Sequence, residues 1–227
     1  MERVITAIKV QKRNPQRVNV DLDGEFAFGL SRLVAAWLKP GDQLSEEKIN
    51  SLIEKDALEV AYQRALDLLN HRPRSEKEIR QRLTDKGFQP GQIDQVVDKL
   101  KQANLVKDEA FARMWVESRN EFHPRSRKLL RYELRTKGIA DNHIDSALEE
   151  IPDEEDLAEK AAIYYARRLQ GKDWQTFRTR LSGFLARRGF SYTTIAPIVK
   201  HLWEKQASTT LNSNIDNEEI EKWENQI

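Results

Sequence analysis

Cysteine is absent from this chain of 227 residues. Its absence excludes disulfides, thiolate catalysis, iron–sulfur clusters and the common structural zinc sites. Long apolar runs are absent too, because no window approaches the run of about 18 apolar residues that a membrane span needs. The first residues alternate like a β-strand and lack the apolar stretch of a signal peptide. We therefore expect a cytoplasmic protein without a membrane span.

Motifs that carry chemistry are equally scarce. The stretch from Gly24 to Ser31 has the glycine spacing of a phosphate-binding loop, but Leu30 stands where that loop needs its lysine. The four histidines are isolated, and no acidic residue completes a zinc motif around any of them. The acidic run 153–156 lacks the spaced oxygen ligands of a calcium loop. We predict a protein that is not an enzyme and uses no metal or cofactor.

Charge is distributed unevenly along the chain. Lysine and arginine total 38 against 37 acidic residues, which gives a formal net charge of +1. Five of these acids but only one lysine lie in residues 207–227, so residues 1–206 carry a formal charge of +5. Residues 207–227 also lack apolar periodicity. The sequence therefore predicts a mildly basic body followed by an acidic, flexible tail.

The main signal in the sequence is an internal repeat marked by three glycines. A distance of 51 residues separates Gly87 from Gly138, and again Gly138 from Gly189. A basic residue precedes each glycine and an apolar residue follows it. The flanking apolar positions keep one register in all three copies: Ile79, Leu130 and Leu181; Leu83, Leu134 and Leu185; Ile93, Ile144 and Ile195; Val97, Leu148 and Val199. Such self-similarity is typical of a repeat architecture.

The pattern around each glycine predicts the end of a helix. A cation favours the negative end of the helix dipole, glycine adopts the left-handed backbone conformation, and the next apolar residue folds back onto the last turn. Ser75 to Glu78 form a capping box that would begin this helix in the first copy. Further helices are predicted after each glycine, starting at Pro90, at Asp141 and at Ser191 or Tyr192. Others are predicted before it, over residues 56–70, from Asp108 and from within 153–156.

The N-terminal part of the chain has a different period. Residues 18–22 alternate between apolar and polar side chains, and the dipeptide Asp23-Gly24 favours a tight hairpin turn. Residues 4–12 supply a further strand, and residues 31–39 are predicted to form a short helix. A small antiparallel hairpin or meander is therefore expected before the repeats.

These patterns predict a mainly α-helical fold. Tandem three-helix bundles would form an extended, solenoid-like array behind the N-terminal β-hairpin or meander. The predicted segments are a hairpin with a helical lead-in, three repeats and the tail, over residues 1–55, 56–104, 105–155, 156–206 and 207–227.

Basic residues collect on the helix that ends at each glycine. If residues 126–137 are helical, Arg127, Arg131 and Arg135 lie one turn apart and form a cationic stripe. Such a stripe favours phosphate groups or an acidic protein groove, although a solvated face neutralised by nearby acids has the same pattern. The predicted contact residues are Arg125, Arg127, Lys128, Arg131, Arg135 and Lys137 in the middle repeat, Arg72, Arg74 and Arg80 in the first, and Arg178, Arg187 and Arg188 in the third. Trp115 has helical spacing beside core positions, which favours packing over base stacking.

Three segments of the repeats carry a resemblance to a known family. They are RSEKEI at 74–79 with LTDKGF at 83–88, LVKDEAFARMWV at 105–116, and YELRTKGI at 132–139. These segments resemble the RecX family of recombination regulators. The likeness is strongest over residues 58–150 and continues more loosely to about residue 204. The third repeat departs most, because Thr176-Phe177 stands where Arg-Ser pairs stand in the other two.

The resemblance implies a bacterial cytoplasmic protein that binds the filament of the RecA recombinase on single-stranded DNA, along its helical groove. It implies a negative modulator of strand exchange, ATP hydrolysis and co-protease activity, which acts in DNA repair, DNA recombination and the SOS response. We expect a monomer whose several modules gain avidity from their linkage. Its cations would allow weak direct contact with DNA.

A hypothesis from a different class stays open at this point. Three-helix units often resemble helix-turn-helix domains, so the array would be a free-standing nucleic-acid-binding or transcriptional regulator. That hypothesis predicts tight binding to naked DNA with a strong dependence on salt. The nearly neutral net charge argues against strong DNA binding by the chain alone.

Overall fold

The computed structural model describes residues 2–206, which contain a small four-stranded sheet in the N-terminal part and ten α-helices. This architecture confirms the predicted fold class. The chain forms two compact units that divide between Lys107 and Asp108. Each helix of the described residues is too short or too polar to span a membrane. The predicted acidic tail lies outside the described residues.

The N-terminal sheet is antiparallel and has the strand order β3-β2-β1-β4. Its strands are β1 Arg3–Gln11, β2 Asn14–Leu22, β3 Glu25–Ser31 and β4 Gln43–Leu44. The predicted hairpin at Asp23-Gly24 joins β2 to β3, and both turn residues have positive φ, 53° and 91°. Alternate apolar side chains of these strands form a core with residues of the helices that follow: Ile5, Val18, Val20, Leu22, Leu30, Ala35, Leu44 and Leu52.

The short helix predicted over residues 31–39 is smaller than expected. Only α1, Arg32–Ala35, is helical. The backbone N–H of Lys39 donates to the carboxylate of Asp42 at 2.7 Å, and the N–H of Gly41 donates to the carbonyl of Ile5 at 2.8 Å. These bonds turn the chain into β4, so the helix ends a turn early.

The first long helix, α2, runs over Glu46–His71. It joins the helical lead-in predicted before residue 56 and the helix predicted over residues 56–70 into one helix, and Ser45 caps its start by accepting from the N–H of Lys48. Asp56 lies buried in mid-helix. It accepts hydrogen bonds from the guanidinium of Arg17 at 2.7 Å and from the N–H of Ser31 at 2.5 Å, and so ties the sheet to α2. The division of the chain into five segments stays a prediction.

Three helices make up each repeat. The bounds are α3 Glu76–Thr84 and α4 Pro90–Gln102 after α2; α5 Asp108–Phe122, α6 Arg127–Thr136 and α7 Asp141–Glu149; then α8 Glu154–Ala166, a 3-10 turn Arg167–Leu169, α9 Trp174–Arg187 and α10 over 192–206. The helix starts predicted near Pro90, Asp108, Asp141, within 153–156 and at Ser191 or Tyr192 are therefore confirmed. Every repeat has its own hydrophobic core, which contains the apolar residues that recur in the sequence.

The same turn ends the second helix of every repeat. The three repeat glycines have φ values of 86°, 82° and 88° in chain order. In the first repeat the N–H of Gly87 donates to the carbonyl of Thr84, and that of Phe88 donates to the carbonyl of Leu83. Equivalent bonds recur in the other two repeats. These are the two bonds of the Schellman motif, which confirms the predicted helix ends.

In the third repeat, a buried phenylalanine stands where the other two repeats have a buried serine that caps a helix. Ser75 and Ser126 are fully buried and cap α3 and α6. Phe177 stands at the equivalent place in the third repeat and is fully buried, with its ring centre 5.3 Å from that of Trp203. The cap has moved to Asp173, whose carboxylate accepts from the N–H of Thr176 at 3.0 Å. Helix α9 therefore begins one turn earlier than α3 and α6 do.

The second and third repeats meet at Gly189. The N–H of Ser126 donates to the carbonyl of Arg188 at 3.0 Å. A Cβ atom placed on Gly189 would collide with Oγ of Ser126 and lie 2.8 Å from Cβ of Leu129. This glycine therefore serves two purposes, since it ends α9 and lets the start of α6 approach the backbone.

We predict that Gly189→Ala destabilises the chain more than Gly87→Ala does. Both changes place alanine at a positive φ, which costs about 1–2 kcal/mol. Only Gly189 also has a neighbour in the way, because nothing lies within 4 Å of a Cβ at Gly87. The clash adds at least about 1 kcal/mol to the loss of unfolding free energy. Urea denaturation measures both variants, and equal losses would contradict the close approach of the two repeats.

Candidate interaction surface

The predicted cationic stripe on α6 lies against its neighbouring helix. The guanidinium of Arg131 bonds to the carboxylate of Asp145 at 2.5 Å, and that of Arg135 bonds to Asp141 at 2.8 Å. Both acids belong to α7. The hydrogen bond from Arg135 lowers the pKa of Asp141. Each of these two arginines thus has its own carboxylate within the repeat.

Arg127, the third member of the stripe, closes the end of α7. Its guanidinium donates to the carbonyls of Leu148, Ile151 and Pro152 at 2.9, 2.9 and 3.1 Å. Carbonyls at a helix C-terminus lack partners inside the helix, and a cation also complements the dipole there. The backbone N–H of Arg127 donates to the carboxylate of Glu154 at 3.0 Å. Arg127 therefore links α6, α7 and α8.

Three predicted contact residues of the first repeat also have partners close by. Arg72 forms two hydrogen bonds of 3.1 Å to the carboxylate of Glu78. Arg74 donates to the carbonyl of Leu68 at 3.0 Å, and burial lowers its pKa. The third residue, Arg80, has two acidic partners, Glu76 at 2.7 Å and Asp94 at 2.5 Å. These partners hold the first repeat together.

Two arginines share one carboxylate in the second compact unit, and a third arginine lies beside them. We call them the arginine cluster: Arg119, Arg125 and Arg188. Arg119 and Arg125 both form ion pairs with Glu133. The Nε atom of Arg119 lies 3.2 Å from Oε2 of Glu133. Arg188 donates to the carbonyl of Pro124 at 2.8 Å, directly beside Arg125. Burial lowers the pKa of Arg125, and the charges of Arg119 and Arg188 lower it further.

Trp115 forms one wall of the arginine cluster. Its ring packs on Phe111 with centres 5.8 Å apart, and its indole N–H donates to Glu133 at 2.8 Å. The guanidinium of Arg119 lies 4.3 Å from the ring centre, and the ammonium of Lys137 lies 4.9 Å from it. Sequence reasoning missed Arg119 and the central place of Glu133. The one-turn spacing of Trp115 and Arg119 is the signal that points to them.

Three of the twelve predicted contact residues have exposed side chains that bond to nothing in residues 2–206: Lys128, Arg178 and Arg187. Lys128 and Tyr132 lie one turn apart on α6, and Tyr132 is 68% exposed. A cation beside an exposed ring suits both acidic protein surfaces and nucleic acids.

Within the described residues, His, Asp and Glu side chains form no group of three that would hold a metal ion.

We predict that Arg127→Ala lowers the free energy of unfolding by about 2 kcal/mol, because hydrogen bonds from a charged donor to three carbonyls are lost. Lys128→Ala is the matched control, since the neighbouring cation bonds to nothing in the described chain. Its loss should stay below about 0.5 kcal/mol. Urea denaturation followed by circular dichroism measures both, and equal losses would contradict the structural role of Arg127.

Four family models match the chain in order. They are the regulatory protein RecX N-terminal domain over residues 3–45, and the first, second and third RecX three-helix domains over residues 61–100, 108–148 and 153–199. The three helical matches each cover one observed repeat.

Curated relatives and solved structures agree with these matches. Regulatory protein RecX of Bacillus pumilus is 34% identical over 206 residues, which cover 89% of this chain and 78% of the relative. That of Clostridium botulinum is 30% identical over 203 residues, covering 86% and 94%. A crystal structure of regulatory protein RecX matches with a TM-score of 0.66 at 28% identity, covering 86% of this chain and 98% of the other. RecX from Lactobacillus salivarius matches with a TM-score of 0.54 at 25% identity, covering 65% and 97%. The chain therefore belongs to the RecX family.

Proposed function

We propose that this protein is a negative modulator of the RecA recombinase. It binds the RecA filament on single-stranded DNA along the filament's groove and inhibits strand exchange, ATP hydrolysis and co-protease activity. The observation that carries the proposal is the complete order of RecX domains along residues 3–199. Such a protein works as a monomer in the cytoplasm, with a role in DNA repair, recombination and the SOS response.

The proposed contact surface is the second helix of each repeat. All twelve cations predicted from the sequence remain candidates for this surface. We order them by whether each one already bonds to another group of the described chain. Lys128, Arg178 and Arg187 come first, because their charges bond to nothing within residues 2–206 and are exposed. Arg72, Arg80, Arg131 and Arg135 come later, since a filament would have to compete with an acid that each already binds.

Regulation through this surface needs binding but no chemistry. A modulator with several linked modules reaches high affinity through weak contacts, because each bound module raises the effective concentration of the next. Exposed cations add to the rate of association with a negatively charged filament. The free positive charge on α6 and α9 supports this mode of action.

We predict that changing Lys128, Arg178 and Arg187 together to Glu weakens the inhibition of RecA ATP hydrolysis at least about tenfold. The loss of three contacts of modest energy is enough to produce this effect. The assay titrates the protein, below one molecule per recombinase subunit, into matched RecA on single-stranded DNA. Helicity and melting temperature should not change.

The matched control reverses three exposed cations of the N-terminal segment, Lys12, Lys39 and Lys48. This control changes the net charge by the same amount and should retain most of the inhibition. Equal weakening by both triple variants would contradict the proposed surface. Absence of any effect of the native protein on RecA would contradict the proposed function.

A further inference from the structure

We propose that the arginine cluster (Arg119, Arg125 and Arg188) is a binding site for a phosphate dianion, either inorganic phosphate or the terminal phosphate monoester of a nucleic acid strand. Arg125 and Arg188 are also among the twelve candidate cations of the filament surface, but phosphate binding at this site does not depend on RecA. Its charge, its burial and the geometry of its donors all favour such a ligand.

The charge of the cluster is unbalanced. Arg119 and Arg125 share one carboxylate, that of Glu133, while Arg188 bonds to a backbone carbonyl beside Arg125, which leaves a local charge of about +2 when each group is fully ionised. Arg131 and Arg135 on α6, in contrast, each pair with one acid of their own. A local excess of positive charge is unfavourable unless an anion neutralises it.

The cluster is half-buried, and this strengthens its attraction for an anion. The side chains of Arg119 and Arg125 are 25% and 31% exposed, and that of Glu133 is 12% exposed. Charges interact more strongly where less water surrounds them. Enough of each guanidinium nevertheless faces solvent for a small anion to reach it.

The cluster also has hydrogen-bond donors to spare. Each arginine has five N–H groups. Arg119 bonds to Glu133 through Nε, Arg125 through one terminal nitrogen, and Arg188 uses one terminal nitrogen for the carbonyl of Pro124. Planar guanidinium forks match the oxygen atoms of phosphate in pairs.

Charge favours a phosphate monoester or inorganic phosphate over a carboxylate or a phosphodiester. A phosphate monoester carries a charge of about −1.5 to −2 near pH 7 and presents three strong acceptor oxygens. A single carboxylate or a phosphodiester supplies only one negative charge. The first repeat lacks such a site, because Leu68 stands there in place of Arg119, and Arg74, the counterpart of Arg125, donates to a backbone carbonyl.

The test uses the full chain and inorganic phosphate, with chloride keeping the ionic strength constant. Nuclear magnetic resonance of the arginine Nε–H groups follows the titration. Saturable shifts are expected in the cluster, and Arg119→Gln, Arg125→Gln and Arg188→Gln should each weaken phosphate binding at least about tenfold. Arg113→Gln is the control, because Arg113 lies on α5 but pairs with Glu109 and Glu150. The affinity should fall as the pH decreases through the second pKa of inorganic phosphate, close to neutral pH, where the dianion gains a proton.

Glu133→Gln keeps all three arginines and nearly the same shape, so it tests the site even if an arginine variant fails to fold. We expect phosphate binding at least about threefold tighter, because a competing negative charge is removed. Unchanged or weaker binding would overturn the proposal. So would the absence of saturable shifts, or equal shifts with chloride alone.

The source of the phosphate is identified by competition. A short single strand with a 5′-terminal phosphate is compared with the same strand without it. Preferential displacement of inorganic phosphate by the phosphorylated strand supports a strand terminus as the ligand. Saturable binding of inorganic phosphate without that preference supports free phosphate as the ligand of the same site.

Discussion

A left-handed glycine ends the second helix of every repeat, and because that residue has no side chain, the chain reverses into the third helix with little backbone strain. The two hydrogen bonds of the turn satisfy carbonyls that a helix end leaves open. They also bring the next apolar residue, such as Ile139, onto the core. All three cores depend on this reversal, and Gly189 additionally lets the third repeat meet the second.

The cations of the repeats form two groups, which differ in whether they bond to other groups of the repeat. Those next to α7 and the repeat turns neutralise acids and cap helix ends, as Arg127 does at the end of α7. Their positions depend on the geometry of the three-helix unit. The exposed cations, such as Lys128, contribute nothing to packing and leave their charge available to a partner. A helix that binds its neighbours on one side can therefore still offer a positive face on the other.

Much of the fold is predictable because its signals are local. Each of these signals acts over a few residues. A glycine after a cation places the repeat turns, the serine of a capping box places the start of α3, and the alternation in β2 places the hairpin. The role of Asp56 is not predictable in this way, because its partners Arg17 and Ser31 come from two strands that are distant in the sequence.

The candidate surface is predictable only in outline. Spacing along a helix places Arg127, Arg131 and Arg135 on one stripe, but it does not reveal which neighbour that stripe faces. The answer depends on acids of α7 and on carbonyls beyond it. The arginine cluster is harder still, since its members come from α5, from the segment before α6 and from the end of α9. Residues from three separate segments come together only in the folded chain, so the sequence alone does not predict this cluster.

Binding to the filament, as opposed to bare DNA, tests the central claim most directly. The measurement compares the affinity of the labelled protein for RecA–single-stranded DNA filaments with its affinity for the same DNA without RecA, over a range of salt concentrations. A filament modulator should bind the filament at least about tenfold more tightly, and its preference should persist as salt weakens DNA binding. Equal affinity for both, with a steep salt dependence, would contradict the account and support a free-standing nucleic-acid-binding protein.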